Sequence, residues 1–299
     1  MLPDPPLEDQ GAASGGAGRP SRPDCALLSS RSKQLHGGAS TVAHVTRIND
    51  AHRQSTYSLR LDWGPTGADA LGPGCDVAVV IDVLSFTTTL TVAADRGVVV
   101  YPYQWRGESA ETFAREHDAV LAVGRSHVRH GQISLSPASV RAAPAMSRLV
   151  LPSPNGSTIA ARLAATSPEV LGVGLRNRQA AAEWLHRRGQ ADSTLRVAVI
   201  AAGERWPDGG LRPAVEDQWG AGALMKELVE HGWKNLSPEA HAAIGAFDTI
   251  SDDVEGALRR CASGRELIDI GFMDDVETAA QLDQSAAVPL LRGDAFTPQ

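Results

Sequence analysis

The sequence contains few cysteines and no long apolar run. Its three cysteines, Cys25, Cys75 and Cys261, are scattered over 299 residues, too few and too far apart for a disulfide framework or a four-thiolate zinc site. No stretch approaches the roughly eighteen consecutive apolar residues that a membrane helix needs. The N-terminus also lacks the apolar segment of a secretory signal. We therefore expect a cytoplasmic protein that has no membrane partner.

Basic residues are outnumbered as well, with 28 Lys and Arg against 35 Asp and Glu and a formal net charge of -7. Non-specific affinity for nucleic acid comes mostly from Lys and Arg, so the balance argues against a nucleic-acid partner. The phosphate-binding loop of nucleoside triphosphatases and the Gly-x-Ser-x-Gly turn of serine hydrolases are both missing. These absences exclude two large enzyme classes.

Residues 1–40 hold 11 Gly and Pro and no aromatic residue. Such a segment buries too little apolar surface to offset the entropy of ordering it, which predicts a disordered leader. The domain itself is expected to span residues 55–295.

Short β-branched runs alternate with Ala-rich helical patterns in this domain, as expected where helices cover a mainly parallel sheet. Strands are predicted at 57–61, 77–83, 98–103, 119–123, 148–151, 169–173 and 195–201, and helices at 86–96, 109–117, 158–165, 179–188 and 214–231. Gly97, Gly189 and Gly232 are predicted to end helices. The pattern predicts an α/β fold with three layers, α/β/α, around a mainly parallel or mixed sheet.

The number of subdomains and the fold of the segment after Gly232 are less clearly indicated. The units could stack as two similar subdomains joined near Pro144 or form one compact body. After Gly232 only helices near 238–247 and 252–262 are indicated, followed by a segment running to Pro289. This last part is expected to be peripheral.

Asp82 ends an apolar strand, and Ser85, Thr87 and Thr88 follow it at the start of a helix. In open α/β sheets the functional crevice lies beyond the carboxyl ends of the strands. A carboxylate there suits Mg²⁺, and hydroxyls and free amides at a helix N-terminus suit a phosphate. The alternative is that the hydroxyls cap the helix and Asp82 accepts from loop amides.

The segment Asn155-Gly156-Ser157 lies between another predicted strand and an Ala-rich helix. Asn-Gly permits positive φ, and the following amides would point at the crevice, where an anion could bind. The alternative is a plain turn.

Further carboxylates follow the last predicted strand, at Glu204, Glu216 and Asp217. Consecutive helical residues diverge by roughly 100°, so Glu216 and Asp217 cannot both face one ion from within a helix. We expect Asp217 to be the inward one. The alternative is that both acids only favour the positive end of a helix.

The loop from Gly124 to His130 contains two arginines and two histidines, and its Arg125 could bind an anionic substrate. The alternative is a solvated basic patch. Asn177 follows a weak dinucleotide-type glycine pair and is better interpreted as the cap of the next helix.

Taken together these motifs resemble the 2-phosphosulfolactate phosphatase family. The strand ending in Asp82, the Asn155-Gly156-Ser157 turn, the helix start at Asn177 and the pair Glu216-Asp217 come in that family's order, and the similarity continues through Gly264-Arg265-Glu266-Leu267 and Asp274-Asp275-Val276. It covers residues 57–293. The combination is far more specific than any single motif.

The resemblance implies a Mg²⁺-dependent phosphatase that hydrolyses 2-phosphosulfolactate to sulfolactate and phosphate. It implies catalytic residues Asp82, Asp217 and Glu216, a magnesium site of Asp82, Glu204 and Asp217, and substrate contacts from Ser85, Thr87, Thr88, Asn155, Gly156, Ser157, Arg125 and Asn177. Arg125 would meet the sulfonate or carboxylate. A homo-oligomer is compatible with this assignment.

The chain departs from the family pattern in two places. Ser85 stands where the family usually carries Arg, which removes a positive charge, and Val123-Gly124-Arg125 replaces a Gly-Glu-Arg motif. The sequence therefore supports two hypotheses: a Mg²⁺-dependent phosphatase for a small phosphorylated acid, or a non-catalytic binder of a phosphorylated or anionic metabolite.

Overall fold

The computed structural model describes residues 48–104, 107–125, 128–129 and 131–299. The predicted leader, Cys25 and the two histidines of the basic loop, His127 and His130, lie outside these residues.

All seven predicted strands are present, with ends that differ by a few residues. The described strands are β1 (Leu59–Trp63), β2 (Val77–Ile81), β3 (Val99–Tyr103), β4 (Val120–Leu121), β5 (Arg148–Pro152), β6 (Glu169–Val173), β7 (Val197–Ala201), β8 (Glu204–Arg205), β9 (Leu211–Arg212), β10 (Leu290–Arg292) and β11 (Ala295–Thr297). The short strands β8 to β11 were not predicted.

The predicted helices are also present. The described helices are α1 (Gly64–Leu71), α2 (Phe86–Asp95), α3 (Glu108–Glu116), α4 (Pro137–Ala142), α5 (Gly156–Ala164), α6 (Arg178–Ala191), α7 (Val215–Glu230), α8 (Pro238–Asp248), α9 (Val254–Arg260), α10 (Ala262–Asp269) and α11 (Met273–Ala279). Among them α1, α4, α10 and α11 were not predicted. No helix in the described part of the chain is long and apolar enough to cross a membrane.

The predicted helix ends are partly confirmed. Gly97 and Gly232 follow helices and have φ of 70° and 94°, in the region that favours glycine. The prediction for Gly189 is wrong, because this residue lies inside α6. A Cβ at Gly189 would lie 3.2 Å from the ring of Trp233, so the glycine makes room for that side chain.

Two groups of parallel strands are joined by an antiparallel hairpin. The sheet order is β1-β7-β2-β6-β10-β11-β3-β5-β4. Strands β1, β7, β2 and β6 pair in parallel, as do β3, β5 and β4, whereas β10 and β11 pair antiparallel with each other and with β6 and β3. The sheet is therefore mixed, and strands from both sides of Pro144 share it.

Helices cover both faces of this sheet, as the three-layer prediction required. Along β2 the side chains of Val77, Val79 and Ile81 belong to one apolar core, with residues of α6, α7 and α8. The alternate residues Ala78 and Val80 belong to a second core, with residues of α1, α2 and α5. The continuous apolar sequence of β2 is thus explained by burial on both faces.

The expectation that the C-terminal part is peripheral is wrong. Strands β10 and β11 lie between β6 and β3 in the middle of the sheet. They were missed because three-residue strands offer too little periodicity to be recognised. The end of the chain therefore connects the two parallel groups.

Candidate active site

The carboxylate of Asp82 lies where two helices begin. Asp82 directly follows β2 and is buried. Its Oδ1 accepts from the Phe86 amide over 3.2 Å, and its Oδ2 accepts from the Gly156 amide over 3.0 Å. Phe86 and Gly156 are the first residues of α2 and α5. Because helix N-termini favour negative charge, this arrangement fixes the carboxylate at an anion-binding position.

A cavity of about 310 Å³ opens in front of this carboxylate. Five predicted site residues line it together: Asp82, Ser85, Arg125, Asn155 and Glu204. The two strands that precede Asp82 and Glu204, β2 and β7, are neighbours and run parallel, so their carboxyl ends meet at one edge of the sheet. The structure thus assembles one polar cavity from four separate segments of the chain.

Two polar residues of the cavity were not predicted, Ser153 and Glu266. Ser153 follows β5, and its amide donates to the carbonyl of Tyr103 over 3.1 Å. Glu266 lies in α10 and brings a third carboxylate to the lining. Its segment, Gly264 to Leu267, was among the motifs of the family resemblance, and only the role of the side chain went unrecognised.

Asn155 connects the β5 loop to the acid that follows β7. Its Nδ2 donates to Oε2 of Glu204 over 2.9 Å. Burial raises the pKa of Glu204, and the hydrogen bond from Asn155 acts in the opposite direction. Asn155 therefore helps to keep this half-buried carboxyl ionised.

Gly156 is at this position because a side chain would not fit. A Cβ there would lie 2.3 Å from Cδ1 of Phe86 and 2.8 Å from Oδ2 of Asp82. Its amide already donates to Asp82, so Gly156 positions the carboxylate where a contact with phosphate was predicted.

The predicted phosphate contacts of Thr87 and Thr88 need correction. Both side chains are fully buried. Thr87 Oγ1 donates to the carbonyl of Asp82 over 2.7 Å, and Thr88 Oγ1 donates to the carbonyl of Val83 over 2.8 Å. These hydroxyls hold the loop after β2 in place and do not line the cavity.

Ser157 and Asn177 are also fully buried away from the cavity. Ser157 Oγ donates to the carbonyl of Leu151 over 3.0 Å. Asn177 accepts from the Gly174 amide over 2.9 Å and donates to the carbonyl of Ala287 over 3.0 Å. Their predicted substrate contacts are therefore corrected to structural roles at the ends of β5 and β6.

Asp217 is buried in α7, and both of its oxygens are already in use. Oδ1 accepts from the Val83 amide and Oδ2 from the Gly203 amide, each over 2.8 Å. Burial, followed by the charges of Asp82 and Glu216, raises the pKa of Asp217. Asp217 thus joins the ends of β2 and β7 behind the cavity wall.

Its neighbour Glu216 is buried too, and its Oε2 has no hydrogen-bond partner. Both acids are therefore buried, and the prediction that only Asp217 faces an ion stays a prediction. The charge of Glu216 adds to the raised pKa of Asp82, Glu204 and Asp217. An unpartnered buried carboxyl oxygen costs free energy unless a proton or a cation compensates it.

The cavity carries more negative than positive charge. Burial, and next the charge of Glu204, raise the pKa of Asp82 from 3.8 to about 7. Arg125 is the one basic residue among the described residues of the lining, and it already pairs with Asp275. Crowded carboxylates of this kind fit a divalent cation.

No ready-made metal site of three His, Cys, Asp or Glu side chains is found in the described part of the chain. Mg²⁺ usually keeps several waters and takes one or two carboxylates together with substrate oxygens. Asp82 and Glu204, which both line the cavity, satisfy that smaller requirement. The predicted third ligand, Asp217, does not line the cavity, and its two oxygens accept from amides behind the cavity wall.

Comparison with known proteins gives a consistent result. Residues 70–294 match the family model described as 2-phosphosulpholactate phosphatase. A protein of Thermus thermophilus named probable 2-phosphosulfolactate phosphatase is 32% identical over 73% of this chain and 89% of its own length. Proteins of the same name from Thermotoga maritima and Deinococcus radiodurans are 26% and 30% identical, over 74% and 72% of this chain and 92% and 88% of their own lengths.

Proposed function

The chain belongs to the 2-phosphosulfolactate phosphatase family, and from that membership we propose that it is a Mg²⁺-dependent phosphatase that hydrolyses 2-phosphosulfolactate to sulfolactate and phosphate. The observation that carries the proposal is the position of Asp82. Its carboxylate faces a polar cavity and accepts from the first amides of two helices. The cytoplasmic location and the homo-oligomer remain predictions.

Asp82 and Glu204 would hold the Mg²⁺, because both are acids that line the cavity. Bound there, the ion would neutralise the phosphoryl oxygens. It would also offset the repulsion from Glu204, which after burial is the next cause of the raised pKa of Asp82. Asp217, bound to two backbone amides, keeps the ends of β2 and β7 in register behind these ligands.

The phosphoryl group would lie against Ser85, Ser153 and Asn155, whose side chains supply hydroxyl and amide donors on the cavity wall. Arg125 lies on the same wall and is the natural partner for the carboxylate or sulfonate. The substrate is thereby oriented by its two ends, with the phosphate near Asp82 and the second acid near Arg125.

Phosphate release from a panel of small phosphorylated acids tests the proposal. The panel contains 2-phosphosulfolactate and phospholactate, each assayed with Mg²⁺ and with EDTA. We expect release that requires Mg²⁺ and is abolished by Asp82→Asn. Asp252→Asn is the matched control, since Asp252 is exposed and remote from the cavity lining.

Each other outcome would count against a specific part of the proposal. Release that persists in EDTA would contradict the magnesium requirement. Full activity of Asp82→Asn would contradict the site. No release from any compound, together with thermal stabilisation by the phosphorylated acids, would replace the phosphatase by a non-catalytic binder of the same ligands.

A further inference from the structure

The guanidinium of Arg125 is held at the cavity by contacts on several sides. Arg125 follows β4, and its Nη2 donates to Ser85 Oγ over 2.5 Å. Its Cζ lies over the ring of Phe272, 5.4 Å from the centroid. Its Nε and Nη2 both donate to Oδ2 of Asp275, over 3.0 and 2.9 Å. A long, flexible side chain is thus fixed in one place before any substrate arrives.

Asp275 is the centre of this arrangement and is itself held from the other side. It lies in α11, 150 residues further along the chain than Arg125, and is fully buried. Its Oδ1 accepts from Ser136 Oγ and from the Ala138 amide. Ser136 caps α4 by accepting from the Ser139 amide over 3.1 Å. The positions of α4 and α11 therefore determine, through Asp275, where the guanidinium lies.

The charges of the cavity lining indicate why the position of Arg125 matters. Arg125 is the one basic group among the described residues of the lining, and the acids Asp82, Glu204 and Glu266 share that lining. A second acidic group of a substrate would be repelled by these acids everywhere except beside the guanidinium. The guanidinium of Arg125 carries a permanent charge that attracts carboxylate and sulfonate oxygens, and its Nη1 lies outside the contacts that Nε and Nη2 make with Asp275 and Ser85.

We propose that Asp275 is a positioning residue that, through Arg125, makes this enzyme selective for phosphate esters bearing a second acidic group. The inference rests on the proposed function and extends it to a residue far from the phosphate. It predicts that the Arg125–Asp275 pair sets the ratio of kcat/KM between two classes of substrate. The first class carries a carboxylate or sulfonate beside the phosphate, and the second, such as isopropyl phosphate, carries none.

Asp275→Asn keeps the size of the side chain and removes the charge that orients Arg125. We expect the kcat/KM ratio between phospholactate and isopropyl phosphate to fall about tenfold or more, mostly through the KM for phospholactate, where tenfold corresponds to about 1.4 kcal/mol. Arg125→Ala should lower the ratio at least as far. In the Arg125→Ala background, Ser85→Arg should restore part of it, because Ser85 lies within hydrogen-bond distance of the native guanidinium.

Asp95→Asn is the matched control. Asp95 accepts from the largely buried Arg176 over 2.9 Å and from Ser285, just as Asp275 accepts from an arginine and a serine. Asp95, Arg176 and Ser285 do not line the cavity. This variant should lower thermal stability without changing the kcat/KM ratio. If Asp275→Asn leaves the kcat/KM ratio unaltered, whether or not kcat/KM falls equally for both substrate classes, the pair only stabilises the fold and the proposal is overturned.

A second readout separates this inference from the proposed function. Thermal stabilisation of the wild type and of Asp275→Asn is measured with phospholactate and with isopropyl phosphate. If the wild type releases no phosphate, the proposed function fails, yet selective stabilisation by phospholactate that is lost in Asp275→Asn would still support the positioning role. Equal stabilisation of the two proteins by phospholactate would contradict it.

Discussion

The backbone amide of Gly156 donates to Oδ2 of Asp82 over 3.0 Å, so the first residue of α5 is bonded to the carboxylate that follows β2. These residues belong to different parallel groups of the sheet, because α5 follows β5 and Asp82 follows β2. The candidate active site thus takes residues from loops and helices of both groups of strands, and it depends on how closely two helix starts approach each other.

Gly156→Ala should disrupt this approach. The added Cβ would overlap the ring of Phe86 and crowd Asp82. We expect a loss of about 1–3 kcal/mol in the free energy of unfolding, typical of overpacking, together with loss of phosphate release. Gly245→Ala in α8 is the control, since its Cβ would meet nothing within 4 Å and should stabilise the helix by about 0.5–1 kcal/mol. Equal stability of the two variants in urea denaturation would refute the steric argument.

Asp82→Asn should change how the stability of the metal-free protein depends on pH. The pKa of Asp82 is about 7 in the folded state against an ordinary 3.8, because burial and Glu204 disfavour the charged form. Asp82 therefore contributes stability that is fully present below about pH 4 and is lost as the pH rises through about 7. Relative to Asp82→Asn, the wild type should become progressively less stable between these values.

Urea denaturation in EDTA across this pH range measures that difference. Titrating groups remote from Asp82 are common to both proteins and cancel, whereas the pKa of Asp217, which the charge of Asp82 helps to raise, should fall in Asp82→Asn. Asp252→Asn should follow the wild type in parallel, since Asp252 is exposed. A constant difference between wild type and Asp82→Asn at every pH would show that the carboxyl titrates normally in the folded protein.

The two described cysteines should resist alkylation in the native protein. Burial, with the charge of Glu216 next, raises the pKa of Cys261 to about 12, and burial also raises the pKa of Cys75. Because the thiolate is the reactive form, iodoacetamide at about pH 8 should leave both residues unmodified in native protein and modify them in guanidinium chloride. Peptide mass spectrometry reads out each site, and rapid native labelling of Cys261 would contradict its burial.

The strands could be predicted because burial on both faces leaves a continuous apolar run, as in Val77 to Ile81. Part of the cavity lining could also be predicted, because such crevices form beyond the carboxyl ends of strands. These residues are Asp82, Ser85, Arg125, Asn155 and Glu204. Residue type and position relative to a strand were enough for this part of the site.

The direction of each side chain could not be predicted in the same way. Thr87 and Thr88 lie five and six residues after Asp82, and their hydroxyls bond to carbonyls of the same loop, which competes with ligand binding. Asp275 lies 150 residues from Arg125 along the chain, so no local pattern connects the two. Such contacts follow from the packing of α4 and α11, which were not predicted.

Substitution of Phe296 in β11 tests whether the end of the chain helps to hold Phe86 and Asp82 in position. Its ring is buried and meets the ring of Phe86 edge to face, with centroids 6.1 Å apart. Phe86 in turn donates its amide to Asp82. Phe296→Ala should therefore cost about 3–5 kcal/mol of unfolding free energy and also lower phosphate release, because Phe86 loses the surface that holds it.

Trp206→Ala is the control, since that aromatic side chain is 54% exposed and contacts Arg212 over its ring. Its loss should cost no more than about 0.5–1 kcal/mol. A small effect of Phe296→Ala would mean that β11 is dispensable to the sheet despite its central position. A large loss of stability with full activity of the remaining folded protein would show that the position of Phe86 does not affect Asp82. The 3.2 Å hydrogen bond from the Phe86 amide to Asp82 argues against that outcome.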